Sequence, residues 1–154
     1  ANNWGKNDYM GIRAVEFKLG GQLINVAAGT FTDYFSTEYN DAFNASRAFD
    51  SAMILNNSWS GASWMSAAWI TTNQRLIVVF DEAIEFDEVV INNTHTSGNQ
   101  TDTGVKDTKI YSSTDAITNT IFNSEISNSR LLFDDQIPMH NNTNGRDDFV
   151  AFHS

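Results

Sequence analysis

Three tryptophans stand five residues apart in a stretch without a single charge: Trp59, Trp64 and Trp69 in SWSGASWMSAAW, residues 58–69. An indole can fill a core, or it can lie open as a broad apolar plate for the apolar face of a sugar ring. Other reactive residues fall short of a site. His95, His140 and His153 lack metal-ligand spacing, and no G-x-S-x-G turn presents a nucleophile. The doublets Asp134-Asp135 and Asp147-Asp148 point adjacent carboxylates to opposite faces of a strand, so neither converges on one glycosidic bond. HNNTNGRDDF carries Asn142, Asn144 and Gly145 at the third, fifth and sixth positions of an EF-hand loop. It fails at the first and twelfth, His140 and Ala151, so Asn144-Gly145 reads as a hairpin turn. An enzyme is not expected.

The composition narrows the partners. The chain has 154 residues, 41% of them hydrophobic and 11 of them Phe, enough for one domain, residues 1–154, with a real core. A net charge of −10 with only nine scattered Lys and Arg excludes a phosphate-binding surface, and with it nucleic acid and anionic membranes. There is no cysteine, hence no disulfide and no thiolate metal site. No apolar run approaches the roughly 20 residues of a membrane span. An opening ANNWGKNDY without an initiator Met is expected of a processed chain or a module cut from a longer one.

The elements that must position any site are strands. IRAVEFKLGGQLINV alternates around Gly20-Gly21, the pattern of a two-residue I′ or II′ hairpin. TFTDYFSTEY predicts a strand. NASRAFDSAM predicts one short helical turn, with Asn44 as N-cap and Ala48 and Phe49 turned inward. QRLIVVF, a continuous apolar run, predicts a central strand covered on both faces. IEFDEVVINNT, VKDTKIYSS, SRLLFDDQI and DDFVAF predict further strands, and TSGNQTDTG a solvated polar loop. Many short strands between turns indicate an all-β antiparallel sandwich.

The order AFD, a Trp-containing loop, QRLIVVF, FDEVVINN and GVKDTKIYSSTD, spanning residues 45–115, resembles the galactose-binding-like β-sandwich superfamily of discoidin-type domains and carbohydrate-binding modules. The resemblance implies a jelly-roll sandwich. It implies that Trp64 is the core tryptophan before the central strand, and that Trp69 lies near the place of an aromatic that stacks on sugar. It further implies polar ligand contacts from Asn93, His95, Asn99 and Asp102, and a structural Ca²⁺ held by Asp50 beside residues 56–58. Ser51 stands where the family has a glycine, and no arginine stands in the sugar loop. Trp59 has no counterpart and is expected to clamp its loop. Two functions fit these expectations. One is a non-catalytic module of an extracellular or virion surface (a tail, fibre or capsid appendage) that recognises a glycan or cell-surface polysaccharide. The other is a structural assembly or decoration protein that uses the same sandwich for contacts with neighbouring subunits.

Overall fold

The first strand turns back on itself at Gly20-Gly21. Both glycines have positive φ, 58° and 80°, as the first and second central residues of a type I′ turn require. They join β1 (Gly11–Leu19) to β2 (Gln22–Leu23) with Leu19 opposite Gln22. The structure, a computed structural model, describes residues 2–54, 63–115 and 128–154, with Met53 and Ile54 described by backbone alone. Trp59 lies outside the described residues. The fold is an all-β antiparallel sandwich.

One layer is a five-stranded sheet. β6 (Glu88–Asn93) runs between β1 and β9 (Asp148–His153), β2 extends β1, and β4 (Trp64–Met65) pairs with the start of β1. Opposite it lie two separate ladders, β3 (Phe31–Phe35) with β5 (Leu76–Phe80), and β7 (Asp107–Ser113) with β8 (Ser129–Gln136). The core fills the space between. Phe17, Val89 and Ile91 from the large sheet meet Leu76, Val78, Phe80, Ile110 and Leu132 from the ladders. Phe17 takes both Phe80 and Phe86 edge-to-face at 5.3 Å. Each fully buried aliphatic side chain such as Val89 contributes roughly 1.5–3 kcal/mol.

Four expectations change. The strand covered on both faces is β6, not QRLIVVF: Val89 through Asn93 are all buried, whereas every residue of β5 is only half-buried and β5 pairs with β3 alone among the described residues. A run of five apolar residues reports burial of side chains but not which backbone edge finds a neighbour. Asn144-Gly145 does not make a hairpin, because β8 pairs with β7 and β9 with β6. The helical region holds two four-residue turns, α1 (Ser46–Phe49) and α2 (Ser51–Ile54), with 3-10 turns at Asp41–Phe43 and Thr101–Thr103. Asn44 is not the N-cap of α1. Ala45 holds that position, and the Asn44 carboxamide accepts from the Ser46 hydroxyl at 2.6 Å. No helix among the described residues is long and apolar enough to cross a membrane.

Candidate functional site

Trp64 and Trp69 are separated by one turn and have opposite fates. Trp64, in β4, is 1% exposed, and its Nε1 donates to the Thr37 carbonyl at 3.0 Å. A buried indole N–H needs such an acceptor. Trp69 is 74% exposed and has φ 67°, a left-handed backbone that a bulky side chain seldom adopts. The turn is pinned from several sides. Trp69 N donates to Asp8 O at 2.7 Å, Ile70 N to Ala67 O at 3.1 Å, and the Ser66 hydroxyl to Ile70 O at 2.6 Å. The indole is thus held out from a fixed backbone, with exposed Ala68 and Ile70 beside it.

The N-terminal segment connects this turn to the polar loop. Asp8 meets Trp69, while Lys6 N donates to Asp102 O at 3.3 Å and Trp4 N to Gly104 O at 3.2 Å. Lys6 and Asp8 form an ion pair at 3.8 Å between the two loops. Asn99 is exposed and Asp102 half-buried. The 96–99 turn is closed by Thr96 N to Asn99 O at 2.6 Å and Asn99 N to Thr96 O at 2.7 Å. Trp69 and Asp102 therefore flank one segment that also supplies an ammonium and a carboxylate, and Asn99 lies three residues before Asp102 in the adjoining turn. Tyr39, 46% exposed and edge-on to Tyr9 at 5.2 Å, adds an aromatic near the Trp69 turn. Its backbone N–H donates to Met65 O. Burial, reinforced by the hydrogen bond to Tyr39, raises the Tyr9 phenol above its ordinary range. In sequence the only sign of this pair is two tyrosines in otherwise polar stretches.

Asn93 and His95 are placed differently from what the resemblance implies. Asn93 is 2% exposed, and its carboxamide is fully engaged within the protein. Its Nδ2 donates to Val105 O and Pro138 O, and its Oδ1 accepts from Thr94 N and Val105 N. Four bonds exhaust its capacity, so it ties β6 to the segment just before β7 and to Pro138 and has none left for a sugar hydroxyl. His95 is buried completely and stacks on His140, ring centroids 3.9 Å apart and 21° from parallel. Gly98 N donates to its Nδ1 at 3.4 Å, which leaves the proton on Nε2. His140 Nε2 donates to Gly145 O at 2.8 Å. Burial, then the neighbouring His140 and Arg13, push the His95 imidazole down to about 4. It is a neutral core group at pH 7. His140 sits in a loop distant in sequence, and no local pattern announces the stack.

Gly104 makes the Asn93 clamp possible. A Cβ there would lie 2.5 Å from Asn93 Oδ1, although its φ of −60° suits any residue. Gly104→Ala is thus a steric change alone, against an amide locked by four bonds. It is expected to lower stability by about 2–3 kcal/mol, read as a reduced urea midpoint with an unchanged slope.

Asp50, expected to hold Ca²⁺, ends α1, and its Oδ1 accepts from Ala52 N at 3.0 Å. The residues expected to share the ion, 56–58, lie outside the described residues. Among the described residues no group of three or more His, Cys, Asp or Glu could hold a metal ion. The Asp50 carboxylate thus caps the turn that begins α2. No protein-family model, curated protein or solved structure matches this chain.

Proposed function

We propose that this chain is a non-catalytic glycan-recognition module of an extracellular or virion surface, with Trp69 as its stacking platform. The observation that carries this reading is that one residue bears two costs at once. Exposing an indole forgoes the burial that a tryptophan normally gains, and holding it at φ 67° costs about 1 kcal/mol of backbone strain. A pyranose ring laid on the indole recovers apolar contact, while Asn99, Asp102 and Lys6 offer amide, carboxylate and ammonium to its hydroxyls. The resemblance of the central motifs to galactose-binding-like domains supports the same class of ligand. Asn93 and His95 act within the fold on this reading.

Glycine is the discriminating substitution. Trp69→Gly relieves the left-handed strain and removes the plate, so its unfolding free energy is expected to equal that of the parent or exceed it by about 0.5–1 kcal/mol. Glycan binding is expected to weaken by about ten- to a hundredfold, the equivalent of roughly 1.5–3 kcal/mol of lost stacking. Glycan-array screening followed by affinity electrophoresis measures this. No binding by the parent, or equal binding by both proteins, overturns the reading.

A further inference from the structure

The layer opposite the five-stranded sheet is interrupted. Among the described residues, β5 has no neighbour on the side away from β3, and β7 none on the side away from β8. A groove of about 1760 Å³ runs along both strands, its accessible apolar lining being the half-buried Val15, Leu76, Val78, Phe80, Ile110 and Leu132, with Ile12, Phe17, Val89 and Ile91 already buried beneath them. Among the described residues the β5 edge is chemically open. Ser36 N donates to Arg75 O and Asp81 N to Thr30 O. Hydrogen-bonded pairs alternate along an antiparallel ladder, so Ile77 and Val79 also face β3. The N–H and C=O of Leu76, Val78 and Phe80 consequently point into the groove. Natural free edges are guarded by charges, prolines or bulges. LIVVF has no charge or proline, and its pairing with β3 is regular throughout.

Asn2 and Asn3 show how a strand fits. Asn2 bridges antiparallel to Thr72, shortly before β5, and Asn3 bridges antiparallel to Val105, shortly before β7. At the mouth of the groove one extended segment is thus paired on both sides. A strand lying in line with it runs antiparallel to β5 and β7 together, and completes a five-stranded layer in the order β3, β5, insert, β7, β8. The lining also selects charge. Among the described residues, Asp107, Asp115, Asp134 and Asp135 are exposed along it, against two cations, Arg75 and Lys109. Lys109 is already paired with Asp134 at 3.1 Å. A second copy of this chain, with its net charge of −10, is electrostatically the wrong occupant.

We propose that the groove accepts an extended strand of another polypeptide, antiparallel to β5 and β7. Apolar residues on alternate positions face its floor, and Lys or Arg occupies the outward positions. Backbone hydrogen bonds along both edges give affinity, and the alternate pockets give register. This goes beyond glycan recognition and does not depend on it.

The probe is a peptide of alternating valine and lysine, about seven residues long to match β7. Amide exchange followed by NMR in the full chain reads the edge directly. In the isolated protein, Leu76, Val78 and Phe80 are expected to exchange faster than Ile77 and Val79. Peptide at about ten times its Kd leaves roughly a tenth of the groove empty and slows the first three about tenfold, with the other two unchanged. Val78→Pro removes a groove-facing N–H while sparing the β3 ladder, and is expected to abolish the slowing. Asp107→Lys and Asp135→Lys are expected to weaken this peptide severalfold at low salt but not an uncharged analogue. Slow exchange of the three amides in the isolated monomer would mean that the chain covers its own edge, and protection that grows with protein concentration would identify a second copy. Either result overturns the proposal, as does an absence of slowing at millimolar peptide. Trp69→Gly is expected to bind the peptide like the parent, which keeps failure here distinct from failure of glycan recognition.

Discussion

Arg146→Met is expected to destabilise the protein by about 3–5 kcal/mol, a third or more of a typical domain's stability. The cause is Glu16. It lies on the outer face of β1, 6% exposed, and its Oε1 meets the Arg146 guanidinium at 2.6 Å. The same guanidinium binds Asp148 through NH2 at 2.8 Å and Nε at 2.9 Å. Burial works against the charge on Arg146, but the Asp148 hydrogen bond and the Glu16 charge outweigh it and hold the guanidinium above its ordinary value. Methionine preserves much of the packing while leaving Glu16 ionised in a site shielded from water. A further outcome separates this from general loss of packing. The double variant Glu16→Leu with Arg146→Met should recover much of the loss, because the buried carboxylate is then gone and Asp148, the other partner of Arg146, is 41% exposed. Urea unfolding at pH 7 measures both.

The second large effect is acid destabilisation through His95. Its imidazole titrates near 4 in the folded protein and near its ordinary 6.5 in the unfolded chain. Between those values the unfolded chain binds the extra proton, so stability falls as pH drops from 6.5 towards 4. At about 1.4 kcal/mol per pH unit the full loss is about 3 kcal/mol. Asp33 and Glu38 act in the opposite sense. Burial raises both carboxyls, and for Glu38 the charges of Asp41 and Asp33 add to it, so folding gains from their protonation as pH falls. The comparison with His95→Phe isolates the histidine, since a phenyl ring keeps the stack on His140 and cannot titrate. The parent is expected to lose about 3 kcal/mol more than His95→Phe between pH 7 and pH 4. Equal losses would show that His95 is readily charged in the folded state.

The local elements were legible because their causes are local. Gly20-Gly21 supplies two positive φ values wherever the chain places it, and the alternation in IRAVEFKL and VKDTKIYSS fixes which side chains share a face. An all-β antiparallel sandwich follows from such runs. Pairing does not. QRLIVVF and IEFDEVVINNT are both apolar enough for a central position, and β6 holds it because its polar end is satisfied from loops distant in sequence. Asn93 meets Val105 and Pro138, and Asn92 reaches Asp148 at 3.5 Å. The Asn144-Gly145 dipeptide is a strong turn signal overridden in the same way, since β8 and β9 are claimed by different sheets.

For the candidate site the division is sharper. Residue chemistry alone selects side chains able to contact a sugar: an indole, amides, an imidazole and a carboxylate. Only the tertiary structure sorts them. Whether Asn93, His95, Asn99, Asp102 and Trp69 face water depends on what the rest of the chain lays over them, a long-range outcome that no local pattern encodes. Val105 and Pro138 close over Asn93 and His140 over His95, whereas Trp69 stays open on a strained turn held by Asp8. The sequence by itself determined the inventory of strands, turns and charge. Tertiary packing decided which backbone edges were left open and which polar groups were spent inside, because those depend on partners brought together from far along the chain.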